Sequence, residues 1–404
     1  MEMNIFLLLS LAMLLIIILM RKKIPLGLCM LAGGLFIWGI KSSDPQLLYL
    51  AIDKTFHQNR TYDLIAALYL VMGLEIELRT SGTLSGLVAA LKRTFSSSKV
   101  TLMVMPAFLG LLPSLGGARF SAPIVDEASK DLHISADHKA AINFWFRHPF
   151  EFSNPIIPGM IMACSIADVP YSDFVCHTAW VSVLYIILGW IILIRPIKET
   201  SASVAVDDQE KGGPLDIMLA LLPVIITFLL VVFLKLSASI AMAVTVLILY
   251  IVLNLLKRKV SLRSVIFDAI DRKMFLNIGC ILIFINILTE THVLSAICTA
   301  FREAPLPLPV IIACISFVIG VLTGMSQAHV AIVMPIVAAM QTGDLTLASI
   351  AMVFGVGGQM LTPTHMCLVV TLDYFSANIF KTLRPLAAAI ALLLLIFSIV
   401  TYFL

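Results

Sequence analysis

The chain has 404 residues, of which 60% are hydrophobic and only 13% are charged. A soluble globular protein carries about 25% charged residues, so this composition excludes a soluble enzyme. The net charge of +3 is too small to indicate a nucleic-acid partner. Continuous apolar runs have the roughly 20-residue length that crosses a bilayer core. We therefore expect an all-α polytopic membrane protein embedded in the lipid bilayer.

Ten apolar segments are predicted to cross the membrane: 4–20, 24–40, 61–78, 141–170, 174–194, 214–234, 238–256, 274–290, 345–372 and 385–404. Two more apolar segments, 99–125 and 308–340, are interrupted by small and polar residues. Each half of such a segment is too short to cross alone. We therefore predict two re-entrant helical hairpins, whose tips must lie inside protein or beside a polar cavity.

Prolines and glycines also interrupt two of the crossings, 141–170 and 345–372, which we predict to be broken helices. Residues 82–95 and 261–272 are amphipathic and basic, and we expect them to lie along the cytoplasmic interface. The polar stretch 196–213 is predicted to be a cytoplasmic linker between two halves, 1–195 and 214–404.

The distribution of basic residues predicts the orientation in the membrane. With the N-terminus outside, twenty of the 27 lysines and arginines face the cytoplasm and five face outward. The remaining two, Arg119 and Arg147, lie at membrane depth. This bias predicts a multi-pass protein of the cytoplasmic membrane with both termini outside, provided that both hairpins return to the side that they entered.

The two halves of the sequence repeat weakly but in the same order. In the first half, Ser114 lies nine residues before Pro123, and Phe146 lies nine residues before Pro155. In the second half, Ser326 lies nine residues before Pro335, and Phe354 lies nine residues before Pro363. These are four matching positions. In this register Glu151 falls on Gln359, and Asn154 falls on Thr362. Each half holds five crossings and one hairpin, and an odd number of crossings turns the second half upside down. The pattern predicts an inverted-topology repeat, which is typical of secondary carriers.

This arrangement resembles the ion-transporter superfamily, which includes sodium-coupled dicarboxylate and citrate carriers and some sodium–proton antiporters. Within it, the strings Leu-Pro-Ser-Leu-Gly-Gly-Ala-Arg (112–119) and Phe-Arg-His-Pro-Phe-Glu-Phe-Ser-Asn-Pro (146–155) resemble a ten-span family of undefined function. The dicarboxylate carriers have Ser-Asn-Thr at each hairpin tip, where this chain has Ser-Leu-Gly (114–116) and Ser-Gln-Ala (326–328). The resemblance implies alternating access by a hairpin-containing unit, Na⁺ or H⁺ as the coupling ion, no other cofactor, and a homodimer.

Charged residues at membrane depth are functional candidates because each costs about 2.5–3.5 kcal/mol at a helix centre. Arg119 follows the first hairpin tip, where Gly116 and Gly117 allow a ligand to approach the backbone. Its guanidinium suits a substrate carboxylate or phosphate, but it can equally pair with Glu151. Arg147 and Glu151 are four residues apart and can neutralise each other.

These patterns predict two sets of site residues. The predicted substrate-binding residues are Ser114, Gly116, Gly117, Arg119, Asn154, Ser326, Gln327, Thr362 and His365. The predicted coupling-ion or proton-carrying residues are Arg147, His148, Glu151, Asn154, His329, Gln359 and Thr362. The seven cysteines lie in apolar stretches without a CxxC pair, so we predict neither disulfides nor a metal site.

Three functions are compatible with the sequence. The first is a secondary active transporter of a small organic anion, because the repeat, the hairpins and the membrane-embedded arginines all favour it. The second is a cation–proton antiporter that uses Glu151 and His148, with Arg119 and Arg147 as structural counter-ions. The third is an intramembrane hydrolase, for which Ser114 with His148 is the one tempting pair, and nothing else supports acyl chemistry. We expect a protein that is not an enzyme.

Overall fold

The computed structural model describes residues 5–94, 97–112, 117–130, 132–197 and 213–403, and within them the chain forms helices and no strand. The first ten helices are α1 (Ile5–Arg21), α2 (Leu26–Lys41), α3 (Pro45–His57), α4 (Asn59–Thr80), α5 (Thr83–Thr94), α6 (Ser98–Leu111), α7 (Gly117–Ala128), α8 (Ala136–Phe146), α9 (Pro158–Ala167) and α10 (Tyr171–Gly189). The second ten are α11 (Pro214–Val232), α12 (Ala238–Leu255), α13 (Leu262–Phe267), α14 (Arg272–Glu290), α15 (Val293–Arg302), α16 (Leu308–Thr323), α17 (Ser326–Met340), α18 (Leu345–Gln359), α19 (Met366–Phe375) and α20 (Ile379–Phe403).

The interrupted segments form the elements that the sequence predicts. Helices α6 and α7 are the arms of the first hairpin, and α16 and α17 are those of the second. The broken helices are α8 with α9, separated by a 3₁₀ turn at Pro149–Phe152, and α18 with α19. Helices α3 and α15 were not predicted, because their 13 and 10 residues are too few for a crossing.

The contacts between helices repeat from one half to the other. Within each half, the first hairpin arm packs against the first part of the broken helix, α6 on α8 and α16 on α18. The second part of each broken helix packs against the hairpin of the opposite half, α9 on α17 and α19 on α7. The prediction of an all-α membrane protein with two inverted repeats is confirmed. The bounds of the two halves stay a prediction, and residues 198–212 of the linker lie outside the described residues.

Five segments of the described chain are long and apolar enough to cross a membrane: Tyr171–Ile194, Pro214–Val232, Ala238–Leu255, Leu262–Glu290 and Ile379–Tyr402. Nine further apolar helices are shorter, at 10–17 residues. They include both parts of the second broken helix and both arms of its hairpin, as expected for segments that enter the membrane without crossing it in one piece. The chain is a multi-pass membrane protein, whereas ten crossings and the outward termini stay predictions.

The hairpins and broken helices occupy the interior of the molecule. Helix α17 is buried along most of its length, and so is α18. Outer helices such as α1, α11 and α20 instead expose large apolar side chains, among them Leu14, Ile225 and Leu395. In a soluble protein such faces would be a liability, but in a bilayer they contact lipid. The polar residues of the interior are therefore shielded from both water and lipid.

Backbone contacts at glycines bring α16 and α18 unusually close. A Cβ atom added to Gly320 would lie 2.1 Å from the carbonyl oxygen of Gly355. In the reverse direction, a Cβ added to Gly358 would lie 2.1 Å from the carbonyl oxygen of Phe317. Small residues let membrane helices approach to this distance, where dispersion contacts hold them together. The second hairpin is thus fixed tightly to the first part of its broken helix.

Candidate functional site

The first helix break is built by prolines and stabilised by side chains from other elements. Helix α8 ends at Phe146 and α9 begins at Pro158, which needs no backbone donor there. The carbonyl groups exposed between them are bonded by α10, since Thr178 donates to Phe152 and Tyr171 donates to Pro155. Side chains of α10 therefore satisfy two of the backbone carbonyl groups that the break exposes.

Asn154 joins this break to the first hairpin. Its amide nitrogen donates to the carbonyl oxygen of Leu111, 2.7 Å away at the end of α6. Its side-chain oxygen accepts from the backbone N–H of Ile156 at 3.1 Å. Both ends of the buried amide are thus engaged within the protein. A role of Asn154 in binding a substrate or an ion stays a prediction, and its visible role is to hold the hairpin arm.

The second break lies directly against the tip of the second hairpin. Helix α16 ends at Gly324, which has a φ of +65° and so adopts the left-handed conformation that glycine allows. Its Cα lies against the break, because an added Cβ would meet Thr362, Thr364 and the backbone nitrogen of His365. The hydroxyl oxygens of Thr362 and Thr364 are 2.9 Å apart. Two of the predicted substrate-binding residues, Thr362 and His365, accordingly lie against the tip of the second hairpin.

The two halves meet through polar side chains at these breaks. The Nε2 atoms of His148, from the first break, and His365, from the second, are 3.1 Å apart. The hydroxyl of Ser326, at the tip of the second hairpin, lies close enough to the Glu151 carboxyl group to interact with it. Arg147 is close enough to interact electrostatically with Glu151 and with both histidines. This group is called the inter-half cluster below: Arg147, His148, Glu151, Ser326 and His365.

Several buried polar atoms near the second hairpin have no hydrogen-bond partner among the described residues. They are both ring nitrogens of His329 and both side-chain polar atoms of Gln359. His329 rests on Gly355, one turn before Gln359, since a Cβ at Gly355 would lie 2.2 Å from its ring. Within the inter-half cluster, the Oε2 atom of Glu151 is unpartnered as well. An unsatisfied buried polar atom costs about 1–3 kcal/mol, and hydrogen bonds to a polar ligand or to water would remove that cost.

The first hairpin tip is only partly visible. Ser114 and Gly116 lie outside the described residues, and Gly117 and Arg119 occupy the first turn of α7. Gln327 is half-buried at the start of α17. The assignment of these residues to a substrate site stays a prediction, as does the choice between a ligand and Glu151 for Arg119.

Some residues of the site carried no signal in the sequence. Tyr185 of α10 is fully buried and stacks on Trp145, with ring centroids 3.8 Å apart, while interacting electrostatically with Glu151. Gly159 allows α9 to reach the second hairpin tip, because an added Cβ would lie 2.9 Å from the Ser326 hydroxyl. Cys367 approaches the two histidines of the inter-half cluster. These contacts depend on tertiary structure, so spacing along the chain could not reveal them.

Two solved membrane transporters share the fold. MtrF of Neisseria gonorrhoeae, which its description places in a class of antimetabolite efflux pumps, aligns with a TM-score of 0.58 and 13% identity over 82% of this chain and 79% of that chain. The YdaH transporter of Alcanivorax borkumensis, described as having an unusual topology, aligns with a TM-score of 0.56 and 14% identity over 83% of each chain. Identity this low establishes the fold alone.

At the level of sequence, no curated protein matches the chain. A protein-family profile, described as "Protein of unknown function (DUF401)", matches residues 4–404. This match covers nearly the whole chain, including both hairpins, both broken helices and the inter-half cluster. The chain therefore belongs to the DUF401 family.

Proposed function

We propose that the chain is a secondary active transporter that moves a small organic anion of the carboxylate type across the cytoplasmic membrane. Transport is coupled to Na⁺ or H⁺ and uses alternating access of the unit that contains the hairpins. The observation that carries the proposal is the set of unpartnered buried polar atoms at His329, Gln359 and Glu151, located where two broken helices and a hairpin meet. The fold shared with two transporters is consistent with it.

The chemistry of the side chains favours an anion. The site is rich in N–H and O–H donors, which the guanidinium of Arg147, the imidazoles, the Gln359 amide and the Ser326 hydroxyl provide. A carboxylate is an acceptor only, with about four lone-pair positions, and so complements a donor-rich site. Glu151 is the one acidic side chain in the inter-half cluster, and its Oε2 oxygen is unpartnered among the described residues. In the proposal this carboxyl group carries the coupling proton or contributes to a sodium site.

The contact between Glu151 and Ser326 links the coupling ion to the hairpin. Ser326 is the first residue of α17 and lies beside the Glu151 carboxyl group of the opposite half, and in the proposal its hydroxyl donates to that group when the group is charged. A hydrogen bond to a charged group is worth about 1.5–3 kcal/mol, compared with about 1 kcal/mol for a neutral pair. Binding of a proton or Na⁺ at Glu151 therefore changes how firmly the hairpin tip is held. This is the kind of differential contact that alternating access requires.

The test compares the uptake and the stability of the native protein with those of a variant in which a buried polar side chain is replaced by an apolar one of similar size. Gln359→Leu deletes two polar atoms that have no hydrogen-bond partner among the described residues, so we expect an unchanged or higher melting temperature. Uptake of labelled carboxylates into proteoliposomes under an imposed sodium or proton gradient should fall at least tenfold. Gln341→Leu is the matched control, because Gln341 is exposed at the end of α17 and should keep full uptake.

Two outcomes would contradict the proposal. One is full uptake by Gln359→Leu, and the other is an absence of carboxylate uptake by the native protein under either gradient. A second candidate function, a cation–proton antiporter, rests on Glu151 together with the direct contact between His148 and His365. It predicts that the native protein exchanges cations for protons without any organic anion, and that Glu151→Gln abolishes this exchange.

Two further predictions accompany the proposal. The resemblance to the ion-transporter superfamily implies a homodimer, which cross-linking in native membranes can test. The charge bias predicts that both termini face outward, so a cysteine introduced at position 205 in the linker should be labelled only from the cytoplasmic side.

A further inference from the structure

Two histidines and a cysteine from opposite halves of the chain come together between the broken helices. His148 follows α8, whereas His365 and Cys367 lie at the start of α19. One ligand-type atom from each, two imidazole nitrogens and the thiol sulphur, all lie within 4.8 Å of one another. Both imidazoles are buried, and Cys367 is half-buried.

The two rings are held with their Nε2 atoms facing each other. The Nδ1 atom of His148 lies 2.7 Å from the carbonyl oxygen of Phe144, which makes Nδ1 the protonated nitrogen and leaves the Nε2 lone pair free. Phe144 also packs edge-on against both imidazoles, with ring centroids 4.9 and 5.1 Å away. A backbone acceptor on the far nitrogen is the arrangement that normally orients a metal-binding histidine.

The distances suit a tetrahedral metal ion. With zinc–nitrogen bonds of about 2.0–2.1 Å, the two nitrogens of a tetrahedral site lie about 3.4 Å apart. The observed separation of 3.1 Å is within a few tenths of an ångström of that value. The sulphur must approach by about 1 Å, because a tetrahedral nitrogen–sulphur separation is about 3.6 Å. Rotation of the Cys367 side chain on the helix surface can provide this movement.

We propose that His148, His365 and Cys367 form a Zn²⁺ site that joins the two broken helices. When the ion binds, the Cys367 thiol releases its proton to solvent, and the thiolate and both neutral imidazoles donate electron pairs to the metal. The His365 proton then resides on Nδ1, the ring nitrogen that does not face His148. A water molecule completes the tetrahedron. The ion links opposite halves of the chain and so restrains the movement that transport would need.

The charges around the site set its strength. Arg147 interacts with both imidazoles and repels a cation, while the nearby Glu151 carboxyl group offsets part of that repulsion. With three protein ligands in place of four, affinity should be lower than in a closed structural zinc site. The inference does not rest on the transport proposal, because metal binding is measured without a substrate or an ion gradient.

The experiment is a titration of the purified full-length protein in detergent with Zn²⁺, monitored by competition with a chromophoric chelator. We expect one ion per chain. Cys367→Ser should weaken binding more than about 100-fold, because even loss of a group that only orients a ligand costs about 10–100-fold. Cys314→Ser is the matched control, since Cys314 is an exposed cysteine of α16 distant in sequence from the site, and it should leave binding unchanged.

A second measurement identifies the ligands directly. Co²⁺ bound in place of Zn²⁺ should give the strong visible bands of tetrahedral coordination and a sulphur-to-metal charge-transfer band in the near ultraviolet. The charge-transfer band should vanish in Cys367→Ser and remain in Cys314→Ser. A native protein that binds no zinc, or equal binding by the native and Cys367→Ser proteins, would show that the two histidines form only a hydrogen bond.

Discussion

The closeness of α16 and α18 predicts opposite effects for two glycine-to-alanine substitutions. Gly320 of α16 has no room for a methyl group, because an ideal Cβ would lie 2.1 Å from the Gly355 carbonyl oxygen and 3.0 Å from the backbone nitrogen of Gln359. Gly279 of α14 has nothing within 4 Å of the same position. Both residues lie inside helices, so the change in intrinsic helix preference is the same for each.

The magnitude follows from two opposing terms. Alanine is favoured over glycine by about 1 kcal/mol in a helix interior, and Gly279→Ala should keep most of this gain. At Gly320 the obstructing atoms are backbone, which cannot rotate away, so the two helices must separate by about 1 Å. Overpacking of this kind costs about 1–3 kcal/mol and occasionally more. The difference between the two terms is a net loss of up to about 2 kcal/mol for Gly320→Ala.

The measurement is the thermal unfolding midpoint of the native protein and both variants in the same detergent. Gly279→Ala should unfold at or above the native temperature, and Gly320→Ala should unfold below it. Gly358→Ala provides an independent repeat from the other helix, because its Cβ would meet the Phe317 carbonyl oxygen at 2.1 Å. Equal midpoints for the Gly320 and Gly279 variants would refute the close approach of α16 and α18.

Two further substitutions test how polar contacts hold the fold. Asn154→Ala removes a buried amide that bonds the backbone groups of Leu111 and Ile156. The two unsatisfied backbone groups should destabilise the protein by at least about 2 kcal/mol, measured by thermal unfolding. An unchanged unfolding midpoint would contradict this role. Lys54→Gln breaks the 2.6 Å ion pair with Glu290, but the Lys54 side chain is 49% exposed, so the loss should stay below about 1 kcal/mol and shrink further in high salt. A larger loss that does not respond to salt would show that this pair is not screened by solvent.

Local sequence patterns predicted the architecture well because they reflect local constraints. Pro158 begins α9 after the first break, and Gly324 lies at the tip between α16 and α17, so both interruptions were predictable from local residues. Local residues alone do not decide every case, because Pro335 and the pair Gly357 and Gly358 lie inside continuous helices. The register between the halves placed Glu151 opposite Gln359, and in the structure both are interior polar residues at the ends of helical segments. Interior polar positions and the register between the two halves are therefore features that a single sequence can reveal.

The composition of the site was less predictable because its contacts cross between the halves. His148 and His365 are 217 residues apart, and nothing in either local pattern indicates that their rings meet. The spacing of Arg147 and Glu151 predicted that the two side chains can neutralise each other, and in the structure they interact across the 3₁₀ turn. Local spacing gave no sign that Ser326 of the opposite half also lies beside this carboxyl group. The sequence predicted no metal-binding role for Cys367, because its approach to His148 also crosses between the halves.

The two halves share a geometry but differ in chemistry. In the repeat register, Arg147 corresponds to Gly355 and Glu151 to Gln359, so the first half carries both charges and the second half carries neutral counterparts. The packing is consistent with this division: Gly355 lets His329 lie against α18, whereas the Arg147 backbone lies against Gly110. A symmetric copy of the charged site would bury a second arginine and a second glutamate, and removing both charges from water is costly. Concentrating the charge in one half avoids that cost, while Ser326 brings the second hairpin beside the Glu151 carboxyl group.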